Sequence, residues 1–244
     1  MRYAILSDIH GNFEALSAVL YQIKRQAIND VLVTGDIVGY GPEPHECIEA
    51  LRDINAKVVG GNHDLATSGR ISFKGWRNDA AEIWSWNQRV LPKADLDWLF
   101  GLPLTYITKN FTLVHGSIEY PHHEYVHGVV EARRSQRWLT NKICFFGHTH
   151  IPYAFKLHEG GTWDEKNFKL IDQLWLNSED TFFVNPGSVG QPRDGNNKAS
   201  YMVYDTHQKN IIISRIGYDI EKTQFKMKKL NFPLWFLQRL SRGN

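Results

Sequence analysis

Five short apolar runs in this chain end in the same chemistry, and that repetition limits the folds open to it. "AILSDIH" runs into Asp8 and His10, "VLVTGD" into Asp36, and "VVGGNHD" into Asn62 and His63. "TLVHGS" ends at His115 and "CFFGHTH" at His148 and His150. Helix-like segments separate the early runs; in "NFEALSAVLYQIKRQ", Phe13, Leu16, Leu20 and Ile23 recur at helical intervals. Apolar runs alternating with helices predict parallel strands joined by crossovers. Open α/β sheets gather ligands beyond the carboxyl ends of such strands, so five endings rich in Asp, His and Asn predict one shared site. Neighbouring glycines (Gly35, Gly60, Gly61, Gly116 and Gly147) permit the sharp turns this convergence needs.

The second half is strand-rich: "AFKLHE", "TFFVNPGS", "ASYMVYDT" and "NIIISRIGY" predict hairpins and mixed pairing. A two-sheet α/β sandwich with helices outside accommodates both halves, as one domain over residues 1–244. The Trp-rich stretch 76–100 reads as one long helix, and Trp76, Trp84, Trp86 and Trp98 on it read as packing surface. A second helix is expected around 129–139, and an inserted hairpin or loop over 159–181. The chain closes with a helix, "DIEKTQFKMKKL", and an aromatic tail. Phe232, Leu234, Trp235, Phe236 and Leu237 in that tail are expected to dock on the fold, since an exposed patch of that size is unusual.

Charge and cysteine content narrow the classes. A net charge of +2 is too small to indicate a long nucleic-acid or acidic-membrane partner. No apolar stretch approaches the roughly 20 residues that cross a bilayer, and "MRYAILSDIHGN" lacks the pattern of a signal peptide. Cys47 and Cys144 stand in unlike contexts and are expected as buried free thiols, which favours a cytoplasmic location.

Carboxylate and imidazole without thiolate suit first-row divalent ions such as Mn, Fe, Zn, Co or Ni. The strand endings supply too many such groups for one ion that must keep a position open, and about enough for two ions sharing a carboxylate. In an extended chain, residues two apart share a side, so His148 and His150 can face the same way. Arg193, in the Gly/Pro-rich "GQPRDG", is a candidate phosphate contact. Tyr40 in "GYGP" and His123 in "YPHHEYVH" are candidate substrate-lining residues, with His122 and His127 beside the latter. His45, His158 and His207 read as ordinary surface residues.

In the order "DIH", "GDIVGYG", "GNHD", "HGS" and "GHTH", the chain resembles the calcineurin-like metallophosphoesterase superfamily. "NPGSVGQPRDG" (185–195) is similar to the continuation found in bacterial members related to diadenosine tetraphosphatases. The resemblance implies a four-layer α-β-β-α sandwich of two mixed sheets. It also implies a phosphohydrolase in which a hydroxide bridging two divalent ions attacks phosphorus in line. Carried over by position, Asp8, His10, Asp36 and His150 would hold one ion. Asp36, Asn62, His115 and His148 would hold the other, with Asp36 shared. His63 would lie beyond the metals, protonating the leaving oxygen or steadying transition-state charge. Asp64 would either orient His63 or brace its loop.

Phosphoprotein phosphatases of the superfamily carry Asp-Arg-Gly where this chain has "GYG" (39–41). Loss of that arginine disfavours a protein Ser/Thr phosphatase and leaves a small phosphorylated substrate, of nucleotide or dinucleoside-polyphosphate type. A non-catalytic metal-binding scaffold, such as the retromer subunit of this superfamily, should lack ligands or the catalytic histidine; here all are in place. A nuclease acting on long nucleic acid should show a basic stripe, against which the balanced charge argues.

Overall fold

The parallel crossovers expected of the first half are present in the computed structural model, which describes residues 1–72, 78–168 and 172–244. β1 (Arg2–Leu6), β2 (Asp30–Val33) and β3 (Lys57–Val58) run parallel, joined through α1 (Phe13–Arg25) and α2 (Pro44–Asp53). Asn12 starts α1 by accepting the Ala15 N–H at 3.2 Å, and Leu16, Val19 and Ile23 bury one face of it. Three helices follow: α3 (Asn62–Thr67), α4 (Asn78–Val90) and α5 (Lys93–Phe100). The expected single helix over 76–100 is therefore two, broken at Pro92, which cannot continue α4 but starts α5. Trp76 lies outside the described residues.

β4 (Thr105–Ile107) and β5 (Thr112–Val114) form a hairpin, and α6 (Val129–Gln136) leads to β6 (Ile143–Phe145). Next come β7 (Pro152–Leu157), β8 (Trp163–Asn167), β9 (Gln173–Trp175), β10 (Thr181–Pro186), β11 (Ala199–Asp205) and β12 (Asn210–Ile216). α7 (Ile220–Lys229) and α8 (Leu234–Arg242) complete the described elements. One sheet has the order β3-β2-β1-β11-β12-β9 and the other β4-β5-β6-β10-β7-β8.

Strand alternation then generates the layers. Ile5 and Leu32 point between the sheets to meet Phe145, Phe182 and Val184, while Ala4, Leu6, Val31 and Val33 face the other way onto α1 and α2. On the second sheet, Ile143 and Phe145 point inward, and Cys144 and Phe183 turn outward into a cluster with Ala132 of α6. The result is the four-layer sandwich, two mixed sheets between helices.

The inserted hairpin expected over 159–181 is only half a hairpin. β8 does fold back on β7, but β9 pairs with β12 at the edge of the opposite sheet, burying Leu174 between the layers. The aromatic tail docks as expected, with Phe232, Phe236 and Leu237 buried beside Ile83 and Met227, although Leu234 stays exposed. Both cysteines are buried free thiols. No helix among the described residues is long and apolar enough to cross a membrane.

Candidate metal centre

All five strand endings converge at one end of the sandwich, bringing Asp8, His10, Asp36, Asn62, His63, His115, His148 and His150 together, each 4% exposed or less. The route they take is not an extended one. Asp8, His10, Asp36, His148 and His150 have φ of 52, 51, 55, 69 and 61°, all in the left-handed region. Each costs on the order of 1 kcal/mol for a non-glycine residue. The two imidazoles of "GHTH" thus lie in a turn beyond β6, and they serve different clusters.

In the first cluster, His10 and His150 face each other with Nε2 atoms 3.1 Å apart. Each ring donates its other nitrogen, Nδ1–H, to a backbone carbonyl: Val38 at 3.1 Å for His10 and Gln191 at 2.6 Å for His150. Both Nε2 atoms therefore carry lone pairs pointing at one another. Asp8 Oδ1 lies 3.4 Å from His150 Nε2 and 3.9 Å from His10 Nε2. That oxygen is buried and has no hydrogen-bond partner among the described residues.

The second cluster repeats the pattern. His115 donates Nδ1–H to the Thr34 carbonyl at 2.8 Å. Its Nε2 then faces His148 Nδ1 at 3.0 Å, Asn62 Oδ1 at 3.1 Å and Asp36 Oδ2 at 3.3 Å. The same Asp36 oxygen is 3.7 Å from His10 Nε2, so it stands between the clusters. Its other oxygen accepts the His63 N–H at 2.9 Å. In the first cluster, facing acceptors with nothing between them repel, and a cation at the focus relieves that repulsion. In the second, burial lowers the His115 imidazole, but Asp36 and Asp8 overcome it and raise it to about 9, so a proton stands where an ion would displace it. The donor set fits two ions sharing one carboxylate.

Electrostatics carry the same message. Burial raises the Asp8 carboxyl to about 7, with the Asp36 charge adding to it and His115 opposing. Burial also pushes His10, His148 and His150 well below the ordinary imidazole range, leaving them neutral and able to ligate. Burial works the other way at Asp36, but the His115 charge and its hydrogen bond overcome it and hold that carboxyl well below the usual range.

Asp64 braces the loop and does not orient His63. Its Oδ2 accepts the Asp36 and Gly61 N–H groups at 2.8 and 3.0 Å, and its Oδ1 those of Ile37 and Val38 at 2.8 and 3.2 Å. This carboxylate fixes the turn that presents Asp36. Two glycines make room for the arrangement: a Cβ on Gly61 would lie 2.1 Å from Asp36 Oδ1, and one on Gly39 (φ 136°) 2.6 Å from His10 Nδ1.

Arg193 and Tyr40 lie at this site. The guanidinium sits 5.9 Å from the Tyr40 ring centre, donates to Gln191 Oε1 at 3.0 Å, and keeps a buried Nε without a partner among the described residues. His123 is placed differently: its ring packs on Tyr120 and His122. Two residues escaped the sequence reading. Tyr125 stacks on His148 with centroids 3.7 Å apart, and the Arg193 charge reaches its hydroxyl. Trp84, assigned above to packing, donates its indole N–H to His63 Nδ1 at 2.7 Å. Aromatic character was the one signal either gave.

Fold and centre together define a metal-dependent phosphoesterase. The chain belongs to the calcineurin-like phosphoesterase superfamily, whose domain profile matches residues 1–209. A crystal structure of a metallophosphoesterase from Sphaerobacter thermophilus superposes with a TM-score of 0.87 at 35% identity, covering 100% of both chains. An uncharacterized protein of Methanocaldococcus jannaschii is 37% identical over 98% of this chain and 97% of its own length. A symmetrical bis(5'-nucleosyl)-tetraphosphatase of Vibrio campbellii is 33% identical over 47% of this chain, a segment that spans 44% of that protein.

Proposed function

We propose that this protein is a dinuclear phosphohydrolase acting on small nucleotides, dinucleoside polyphosphates foremost. One observation carries the reading: two foci of buried acceptors, His10–His150 and His115–His148, with Asp36 Oδ2 between them. Asp8, His10, Asp36 and His150 hold one ion, and Asp36, Asn62, His115 and His148 the other. Bound there, two divalent ions supply Lewis-acid charge and a nucleophile drawn from water at neutral pH. The protein's own groups do the rest. His63 faces the leaving oxygen, Arg193 clamps a phosphate, and Tyr40 and Tyr125 shape the mouth around that guanidinium. Similarity to a tetraphosphatase and the "GYG" triplet support the nucleotide class.

The site draws on both halves of the chain, down to Phe236 against Tyr40 at 5.1 Å, so it works as one catalytic domain. The two free thiols support a reducing, cytoplasmic setting.

The test is metal-depleted protein assayed against dinucleoside polyphosphates, nucleotides, cyclic nucleotides and phosphopeptides before and after Mn²⁺. Turnover should vanish on depletion and return with two ions per chain, fastest on a dinucleoside polyphosphate. Activity surviving exhaustive chelation overturns the metal assignment, and a preference for phosphopeptides overturns the substrate.

A further inference from the structure

The hydrogen bond from Trp84 to His63 has a fixed polarity. An indole nitrogen only donates, so His63 Nδ1 is the acceptor and the proton of the neutral ring sits on Nε2. Trp84 is 1% exposed. Its helix is pinned to the loop after β2 by Asn87, whose amide donates to the Gly39 carbonyl at 3.0 Å. His63 is wedged edge-on against His10 and Tyr40, with centroids 4.7 and 4.6 Å away. A carboxylate at Nδ1 would accept a proton and let the ring become cationic. Gly39 lies on that side of the ring, and even a Cβ there would lie 2.7 Å from His63 Nδ1, which leaves no room for a carboxylate from that residue. No protein group among the described residues hydrogen bonds Nε2, which leaves it to the substrate.

We propose that Trp84 is a positioning residue that fixes His63 as a neutral Nε2–H donor, so that the enzyme favours substrates whose leaving group is a phosphate or another acidic oxygen. The inference rests on the phosphoesterase reading of the site and deepens its substrate class. In hydrolysis, a hydroxide whose proton has gone to solvent bonds through its oxygen to phosphorus as the bond to the leaving oxygen breaks, and the electron pair of that bond stays on the leaving oxygen. A neutral imidazole that surrendered its one N–H would become an imidazolate, which is far too basic to form. Nδ1 cannot bring in a second proton while the indole occupies its lone pair. The leaving oxygen therefore departs as an anion, steadied by the hydrogen bond, and takes any proton from water afterwards. A phosphate released from an anhydride tolerates this, and an alkoxide does not.

Two measurements test the pairing. In zinc-loaded protein labelled with ¹⁵N, a scalar coupling is expected across the N–H···N bond between Trp84 Nε1 and His63 Nδ1, with the ring proton on Nε2. With aryl phosphoesters of graded acidity, wild-type kcat/KM should fall steeply as the leaving group becomes less acidic. Trp84→Phe should flatten that dependence and lower kcat about tenfold on the most acidic ester, with metal content unchanged. A missing coupling, a proton on Nδ1, or equal slopes in the two proteins overturns the proposal. A clear coupling with no turnover of any ester supports the Trp84–His63 pairing and overturns the reading of the site instead.

Discussion

Two buried aspartates act as hubs in this molecule, and they differ in what they hold. Asp64 gathers four backbone N–H groups and fixes a turn whose Asp36 is left-handed. Asp180 sits beneath the β7–β8 hairpin and binds mainly side chains: Lys156 Nζ at 2.7 Å and Asn177 Nδ2 at 2.7 Å, with the Glu159 N–H at 3.2 Å. A hub of backbone donors dictates chain path, whereas one of side chains ties together a path already set. The strained region needs the first kind, because several left-handed residues give up free energy that something nearby must offset.

That contrast is open to attack, most severely at Asp64. In Asp64→Asn, either orientation of the amide sets its NH₂ against two of the four N–H donors. A loss of about 3 kcal/mol is expected, with Asp36 displaced and ion binding lost, measurable by denaturant unfolding and metal analysis. Wild-type stability with full metal content would show that the turn needs no such hub. Gly39→Ala comes next: the φ of 136° and the approach to two imidazoles should cost about 2 kcal/mol. It should also lower kcat about tenfold through misplaced rings, and an unchanged kcat would contradict the close packing of His10 and His63.

Asp180→Asn should do least, costing about 1 kcal/mol and leaving kcat and metal content as they were. A fall in kcat would tie the hairpin to the site. This variant also carries a pH signature. The Lys156 hydrogen bond, aided by Asn177 and Glu159, holds the Asp180 carboxyl down at about 2. Its folded value lies below its unfolded one, near 4. The stability it adds is thus present above about pH 4 and disappears as pH falls through about 2. Acid titration of unfolding should show wild type and variant converging over that window.

Much of this was legible in the chain because apolar runs and their polar endings are local patterns. The five endings placed the site, and the helical spacing of Phe13, Leu16, Leu20 and Ile23 found α1. What escaped depends on distance. β8 and β9 are neighbours in sequence, yet they join opposite sheets, since the partner of each edge is chosen by the packing of Phe168 and Leu174 between layers. The break at Pro92 was visible, but helical periodicity on both sides concealed it. The role of Trp84 is hidden because an indole in a helix looks the same in sequence whether its N–H meets an imidazole or not. The left-handed φ of His10, His148 and His150 has no sequence signal at all, since glycine or asparagine would normally announce it.

The central strand pair of the first sheet has a bearing on how the protein comes to be made. β1 pairs along one side with β2 and along the other with β11, so Ile5 meets Met202. On a ribosome, every residue proposed to bind metal emerges before β11 does. A nascent chain would hold the whole ligand set beside an open strand edge for the time that about fifty further residues take to appear, roughly 3–10 s. Until then the edge is a template for any other strand, and the half-built centre can scavenge ions in the wrong geometry. Completion of the sheet late in synthesis therefore acts as the step that both protects the edge and commits the site.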